Sequence, residues 1–408
     1  MTYDTRSSRI AASLNEENLY TDIPSCSVIL SREINYSSSL NRLKVQREIE
    51  DRRLYNLRLL RNQKYKFRAK AAVEVIAIDK QDNSFLLCGG INGCVDIMNL
   101  YTMERSVGFK PFNEELPRPL SFDQKHMIKC AQWCAKDNRF FVTSSSNKNL
   151  SLNDVEYLSI VSTNKCEFSP KSLHWKDDES RCQFIAVADG RPEVKLYDLK
   201  TFPNTIALHL CQKSKTKMTA VQWHPSGILI AGDAKGYVHL CDKRKARRPL
   251  HSFSANCAQI EQIRCTSDGL FFVTIDLSYR VIVWNSLSFK KLAQHEHVRR
   301  SDWSSQPKDL SLYEDGNVVW IAYPLGDEVK ILVFNRKSAL LESHEPLRGH
   351  LSRVNTCQFR NGHQQILSGG ADQNLLWWAP NSDFEALTRR DEIVERVQAQ
   401  EDNWSDED

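Results

Sequence analysis

Four residues near the carboxyl end of the chain have the types and spacing of a buried hydrogen-bonded set: His350, Ser368, Asp372 and Trp378. An Asp in a hairpin turn can orient a His ring, a Ser hydroxyl can donate or accept between strands, and a Trp N–H can complete the chain of hydrogen bonds. Polar groups that satisfy one another can be buried cheaply, whereas one left alone costs roughly 1–3 kcal/mol. We therefore expect these residues to stabilise a fold and not to act on a substrate.

The sequence shows none of the patterns that catalysis or metal binding usually requires. It has no Gly-rich phosphate loop, no paired-His metal motif and no nucleophile elbow. Several histidines are scattered along the chain without a Ser or Cys at a motif spacing, namely His126, His174, His209, His224 and His239. We therefore expect a non-catalytic protein without metal or cofactor.

The 12 cysteines are spread through apolar segments. No C-x2-C pair occurs, and Cys130 and Cys134 have no second pair or His cluster at metal spacing. This placement favours buried free thiols in a reducing, intracellular compartment. No apolar run approaches the length of about 18 residues that a membrane span needs, so no membrane partner is expected.

The elements that would position the first four residues recur along the chain. Seven times between residues 70 and 380, a short apolar strand, a polar turn and a second strand end on an Asp, Asn or similar residue. The equivalent strand ends are Asn99, Asp154, Asp198, Asp242, Asn285, Asn335 and Ala379. A period of about 40–50 residues is typical of a β-propeller. The predicted fold is therefore all-β, a seven-bladed WD-repeat β-propeller over residues 63–380.

The repeats differ in how complete they are. Only the seventh carries all four polar residues; the fifth keeps Thr274 and Trp284 but has Ser278 at the place of the Asp. The fourth has Lys235 at that place and Cys241 at the place of the Trp. Because the seventh repeat ends after three strands, we expect its fourth strand to come from residues 64–72, which would close the ring and remove exposed edges.

The segments outside the repeats have distinct compositions. Residues 1–27 are polar and without periodicity, which predicts a disordered extension. Residues 28–62 predict a helix-loop-helix, with the second helix from about Leu40 to Arg61 and an apolar stripe that must pack on the propeller or enter another protein. Residues 381–408 form a tail that ends in the acidic EDNWSDED.

Several stretches resemble the Cockayne syndrome group A family of WD-repeat proteins. They are CTSDGLFFVTIDLSYRVIVWNS at 265–286, LRGHLSRVNTCQFRNGHQQILSGGADQNLLWWAP at 347–380, WCAKDNRFFVTSSSNKNLSLND at 133–154, VADGRPEVKLYDLK at 187–200 and the acidic, Trp-containing end. The resemblance covers roughly residues 28–408. The near-complete fifth repeat and the WAP ending of the seventh are its most specific features.

The resemblance implies a substrate receptor of the cullin-4 ubiquitin ligase. Such a receptor attaches through the adaptor damaged-DNA-binding protein 1, which links it to cullin-4 and the RING subunit. It further implies a nuclear protein that acts in transcription-coupled nucleotide excision repair, with the Cockayne syndrome group B ATPase and RNA polymerase II as partners. In such receptors an N-terminal helix-loop-helix inserts into the adaptor, a form of helix-in-groove recognition.

The resemblance also implies which residues would contact the adaptor. The segment ILSREINYSSSLNRLKVQRE at 29–48 matches the helix-loop-helix. Its candidate apolar anchors are Ile29, Leu30, Leu43 and Val45, and its candidate polar contacts are Arg32, Arg42 and Arg47. The receptors carry a WDxR motif at a repeat end; here Cys241-Asp242-Lys243-Arg244 takes that place, so Asp242 would hold the turn and Arg244 would reach the adaptor. The other reading of Arg244 is a solvated basic loop, KRKARR.

Two other functions stay open at the level of sequence. Residues 40–70 hold eleven Lys or Arg against three acids. A WD-repeat scaffold could use this basic helix on chromatin or nucleic acid without any role in a ligase, so a DNA contact is possible. An enzyme whose site is assembled from several blades at the central channel is the third hypothesis.

Overall fold

The computed structural model describes residues 53–59, 65–66, 71–100, 122–123, 126–134, 137–157, 159–176, 184–198, 202, 205–209, 216–244, 248–255, 258–297 and 309–380. The predicted extension at 1–27, the predicted helix-loop-helix apart from residues 53–59, and the predicted tail at 381–408 lie outside these residues. Among the described residues no helix is both long and apolar enough to cross a membrane.

The chain begins its described part with residues that belong to the last blade. Residues 53–55 are helical, and two short strands follow, β1 (Leu57–Leu59) and β2 (Tyr65–Lys66). The first four blades then follow in chain order. They are β3 (Val73–Ile78), β4 (Phe85–Gly90), β5 (Cys94–Asn99) and β6 (Phe122–Asp123); β7 (Ile128–Trp133), β8 (Phe140–Ser145), β9 (Asn149–Asp154) and β10 (Ser159–Lys165); β11 (Ser172–Trp175), β12 (Phe184–Ala188), β13 (Glu193–Asp198) and β14 (Thr205–His209); and β15 (Met218–Trp223), β16 (Leu229–Asp233), β17 (Tyr237–Cys241) and β18 (His251–Ser254).

Three further blades complete the ring. The fifth is β19 (Ile260–Cys265), β20 (Phe271–Asp276), β21 (Val281–Asn285) and β22 (Lys291–His295). The sixth is β23 (Ser311–Asp315), β24 (Val318–Leu325), β25 (Glu328–Asn335), β26 (Leu341–Ser343) and β27 (Leu347–Arg348). The seventh is β28 (Val354–Arg360), β29 (Gln365–Gly370) and β30 (Asn374–Pro380), joined by β1 and β2. The molecule is a seven-bladed β-propeller, and the predicted fold class is confirmed.

The outer strand of the seventh blade corrects one part of the prediction. The N-terminal side does supply it, but the pairing starts earlier than expected: Leu57, Arg58 and Leu59 lie opposite Pro380, Ala379 and Trp378. The helix predicted to run from Leu40 to Arg61 is therefore wrong at 57–59. Leucines at helical spacing suggested a helix, yet the free edge of β30 offers these backbone groups hydrogen-bond partners that propensity alone does not reveal. The propeller consequently includes residues before 63.

Tyr65–Lys66, within the segment predicted to close the ring, also pairs with β30. The two N-terminal strands thus share one partner, with Tyr65 opposite Leu375 and Leu57 opposite Pro380.

Hydrogen bonds from side chains on the innermost strands join each blade to the next. Gln132 Oε1 accepts from Trp175 N at 2.8 Å. His174 Nδ1 in turn accepts from Trp223 N at 3.3 Å. At the seam between the last and first blades, Gln358 Oε1 accepts from Ile78 N at 2.8 Å across 280 residues of sequence. Such bonds satisfy backbone donors at the blade boundaries and fix neighbouring blades to one another.

The two faces of the ring follow from strand direction. The third strand of each blade ends on one face, which we call the lower face. It is marked by Asn99, Asp154, Asp198, Cys241, Asn285, Asn335 and Pro380. The turns between second and third strands, including Asp372, lie on the opposite, upper face. Because β1 runs antiparallel to β30, the chain that precedes Leu57 reaches the propeller on the lower face.

Candidate functional site

The four polar residues of the last repeat are joined by hydrogen bonds at the upper end of the seventh blade. His350 Nδ1 lies 3.1 Å from both carboxylate oxygens of Asp372. His350 Nε2 lies 2.8 Å from Ser368 Oγ, and Trp378 Nε1 donates to the same hydroxyl at 2.9 Å. Since the carboxylate can only accept, His350 carries its proton on Nδ1, and Ser368 donates to Nε2.

The ionisation of this tetrad follows from its burial. Burial lowers the pKa of His350, although the Asp372 carboxylate works in the other direction. Burial raises the pKa of Asp372, but the hydrogen bond from Asn374 and the contact with His350 more than offset this, so its pKa lies below the usual range. The Ser368 side chain is fully buried. The tetrad therefore holds strands together, and its hydroxyl has no access to a substrate.

The tetrad requires a glycine at position 370, because it leaves no room for a side chain there. A Cβ at this position would lie 2.7 Å from Asp372 Oδ1 and 2.8 Å from His350 Nδ1. Both distances are too short for ordinary contact, so the glycine lets the strand pass directly behind the histidine–carboxylate pair.

We expect Asp372→Ala to lower the free energy of unfolding by about 2–3 kcal/mol, because the buried His350 N–H would lose its acceptor. The Leu351 amide donates to Asp372 at 3.1 Å and would lose its acceptor as well. Urea unfolding followed by tryptophan fluorescence measures this change. Asp327→Ala, at an exposed turn of the same face, is the control and should change stability by less than about 0.5 kcal/mol. Equal effects of the two substitutions would contradict the role given to the tetrad.

The partial copies of the tetrad keep parts of its hydrogen bonding. In the fifth blade Trp284 Nε1 donates to Thr274 Oγ1 at 3.0 Å. Ser278, at the place of the Asp, instead donates its backbone amide to Asp276 at 2.8 Å. In the fourth blade His239 lies 3.4 Å from Asp233. The fourth and fifth blades thus keep parts of this hydrogen bonding with different partners.

The Cys241-Asp242-Lys243-Arg244 turn lies on the lower face and exposes the Arg244 side chain to solvent. Cys241 is buried, and Asp242 Oδ1 accepts from the Arg244 amide at 2.9 Å, which fixes the turn. Arg244 is exposed. The Lys243 ammonium lies 4.8 Å from the ring centre of Phe184 in the neighbouring blade. Asp242 therefore has the turn-forming contact expected of it, and the Arg244 side chain is available to a partner.

The other candidate adaptor contacts lie outside the described residues: Ile29, Leu30, Arg32, Arg42, Leu43, Val45 and Arg47. The structure does show where the chain that carries them meets the propeller. Leu54 is fully buried in a cluster with Trp320 and Trp378, between the sixth and seventh blades. The Tyr55 ring meets Trp320 edge-on at 4.8 Å.

The lower face also carries exposed apolar side chains that sequence reasoning missed. They are Tyr157, Leu250, Leu270, Leu287 and Leu340, with exposed fractions of 69, 46, 46, 81 and 58%. They belong to four of the seven blades and come from loops spread over residues 157–340, so only the folded ring brings them to one face. Exposed apolar side chains also lie on the upper face, such as Leu351 at 90%, so exposure alone does not distinguish the two faces.

Burial disfavours the thiolate form of several described cysteines. Burial raises the pKa of Cys88 and Cys357, in each case with a smaller contribution from a nearby carboxylate. Burial also raises the pKa of Cys130 to about 11 and that of Cys265 to about 12. A nucleophilic or metal-bound cysteine needs a thiolate, which these environments disfavour. Within the part of the chain that the structure describes, no group of three or more His, Cys, Asp or Glu could hold a metal ion.

Comparisons with known proteins find matches to the last repeat and to the overall fold. Residues 342–379 match the family model described as WD domain, G-beta repeat. The β-propeller domain of Cps50 (Swd1) from Myceliophteria thermophila superposes with a TM-score of 0.63 at 15% identity, over 79% of this chain and 99% of that one.

Two curated relatives match the chain over different lengths. WD repeat-containing protein ATCSA-1 of Arabidopsis thaliana is 25% identical over 154 residues, which are 38% of this chain and 32% of that protein. The match thus spans about a third of the relative's length. Eukaryotic translation initiation factor 3 subunit I of Drosophila pseudoobscura pseudoobscura is 23% identical over 270 residues, which are 59% of this chain and 78% of that protein.

Proposed function

We propose that this chain, a WD40-repeat protein with a seven-bladed β-propeller, is the substrate receptor of a cullin-4 ubiquitin ligase. WD40 propellers generally serve as non-catalytic scaffolds, and nothing here shows enzymatic activity. The finer proposal is that the lower face and the N-terminal arm bind the adaptor damaged-DNA-binding protein 1. The role that this proposal implies is transcription-coupled nucleotide excision repair in the nucleus, with recruitment to stalled RNA polymerase II alongside the Cockayne syndrome group B ATPase.

The observation that carries this proposal is that three features expected of an adaptor-binding surface lie on the same face of the ring, the lower face. Residues 53–56, which lead into β1, lie there. The exposed Arg244 of the WDxR-like turn lies there, as do exposed apolar residues such as Leu287. The resemblance to Cockayne syndrome group A proteins supports this choice of partner, and the similarity to ATCSA-1 of Arabidopsis thaliana fits a WD-repeat protein of this kind.

The proposed mechanism is geometric. An arm that inserts into the adaptor and a face that docks beside it would fix the orientation of the propeller. A target held on the upper face would then lie at a high effective concentration relative to the ubiquitin carrier of the ligase. No residue of this chain needs to take part in bond making.

The test is co-purification with the adaptor from cells that express tagged full-length protein. We expect Leu43→Asp to remove most of the adaptor, because a charge would replace an apolar anchor. We expect Arg244→Ala to weaken binding about tenfold, a typical effect of losing one well-placed interface arginine. Lys235→Ala, at an exposed position of the upper face, is the matched control and should leave binding unchanged.

The same experiment separates the alternative function. A scaffold that uses residues 40–70 on nucleic acid should retain DNA or RNA instead of the adaptor, with log affinity that falls about linearly with log salt. Retention of nucleic acid without the adaptor would replace the ligase proposal with this one.

A further inference from the structure

The lower face carries a small apolar patch between the fourth and fifth blades. We call it the leucine patch, and it consists of Leu250, Leu270 and Leu287, which are 46, 46 and 81% exposed. The patch is held by the blades beneath it. The Ser286 amide donates to the Leu270 carbonyl at 2.9 Å. The His251 ring stacks on Phe289 at 5.3 Å, which joins the loops that carry Leu250 and Leu287.

Positive charge surrounds the leucine patch. Arg244, Arg248 and Lys290 are exposed on the same loops. Among the described residues, two carboxylates lie on neighbouring loops: Asp242 accepts from the Arg244 amide at 2.9 Å, and Asp268 is ion-paired with Arg336. The patch therefore presents apolar side chains beside exposed cations, which suits an aromatic residue flanked by acids.

The chain itself contains a segment of that chemistry. Its last eight residues, EDNWSDED, hold five acids around Trp404. The strand that leads to them ends at Pro380 on the lower face. The 24 residues from Pro380 to Trp404 can span about 80 Å when extended, which is enough to reach a loop elsewhere on the same face. The length, the charge and the tryptophan of this tail therefore fit the leucine patch.

We propose that the acidic tail of this chain docks on its own leucine patch, with Trp404 among the leucines and the flanking acids on Arg244 and Arg248. The tail then competes with any partner that uses Arg244. The competition with the adaptor rests on the proposed function, whereas the docking of the tail on the leucine patch does not.

The expected strength of this competition follows from tethering. A flexible tether gives an effective concentration on the order of 1 mM. If the free tail binds with a Kd on the order of 0.1 mM, the tethered tail covers the patch about 90% of the time. The apparent affinity of a competing partner then falls about tenfold. Docking of this kind should be weakened by salt, because Arg244 and Arg248 are exposed to solvent.

Photo-cross-linking of the full-length protein tests the docking without the adaptor. With p-benzoylphenylalanine at position 404, we expect cross-links within one molecule to residues 242–250 and 286–290, identified by mass spectrometry. Arg244→Glu should reduce their yield severalfold, whereas Lys235→Glu on the upper face should not. Cross-links to other surfaces would overturn the proposal, as would an unchanged yield in Arg244→Glu. Cross-linked dimers would assign the tail to a second copy and overturn it too.

Binding of the purified adaptor tests the competition. Removal of residues 401–408 should tighten binding about tenfold at low salt and much less at high salt, and Trp404→Ala should reproduce part of the gain. Unchanged or weaker binding after removal would contradict the competition. If the intact and shortened proteins both fail to bind the adaptor, the proposed function fails, while the cross-linking result still decides where the tail lies.

Discussion

Leu54→Asp should lower the free energy of unfolding by about 4–5 kcal/mol, a very large effect for one substitution. Leu54 is fully buried between the sixth and seventh blades, against Trp320 and Trp378. The substitution removes its apolar contacts and places a carboxylate where no water can solvate it. It also loosens β1, which follows three residues later and gives the seventh blade its outer strand. Urea unfolding at neutral pH measures the change.

Leu340→Asp is the matched control for this prediction. Leu340 lies in a lower-face loop and is 58% exposed, so the same substitution there should cost about 0.5 kcal/mol or less. If Leu54→Asp were as mild as Leu340→Asp, the N-terminal segment would not be part of the folded ring.

Acid should destabilise the protein steeply between about pH 6.5 and pH 4. Burial lowers the pKa of four histidines, His174, His295, His297 and His350, and for His297 it lowers the pKa to about 4. In this range the unfolded chain binds protons at these sites and the folded chain does not. Stability therefore rises with pH, with a slope of up to about 1.4 kcal/mol per pH unit for each histidine. Denaturant unfolding at a series of pH values measures the slope.

Three carboxylates oppose this trend in part because burial raises their pKa: Asp189, Glu261 and Asp309. As the pH falls, these carboxylates bind protons in the folded chain at a higher pH than in the unfolded chain, which favours folding. Loss of stability should still dominate, since more histidines than carboxylates are involved. The variant with His295→Gln and His297→Gln should show a visibly shallower slope, because two of the four groups are gone. Stability that does not fall across this range would refute the assignment of these histidines as neutral.

The repeat pattern of the sequence predicted the ring with good accuracy. The predicted strand ends lie within one residue of the observed ends of the third strands, for example Asp154 and Asn335. This works because an apolar strand must stop where the chain turns into water, and a polar turn residue marks that point. The tetrad was predictable for the same reason, since its members occupy fixed places in one repeat.

The N-terminal strand was not predictable from local pattern. Leu54, Leu57 and Leu60 have helical spacing; of the described residues in the predicted helix, 53–55 are helical and 57–59 form β1. What decides their structure is the unpaired edge of β30, more than 300 residues away in the chain. A long-range pairing of this kind leaves little trace in a short window of sequence.

The composition of the lower face was also hidden from sequence reasoning. Leu250 and Leu287 look like ordinary residues at the ends of strands, and nothing in their neighbours marks them as exposed. Likewise His174 and Gln132 join blades through side chains that a single strand gives no reason to single out. These features depend on how blades meet, which the repeat pattern implies only in outline.

Hydrogen–deuterium exchange of the full-length protein, with and without purified damaged-DNA-binding protein 1, most directly tests whether the lower face docks on a partner. The amides of the lower-face loops at 242–250, 266–270, 286–290 and 336–340 should be protected in the complex, together with residues 28–52. The upper-face turns around 234–236 and 371–373 should exchange as in the free protein. Protection confined to the upper face, or none at all, would contradict the proposal.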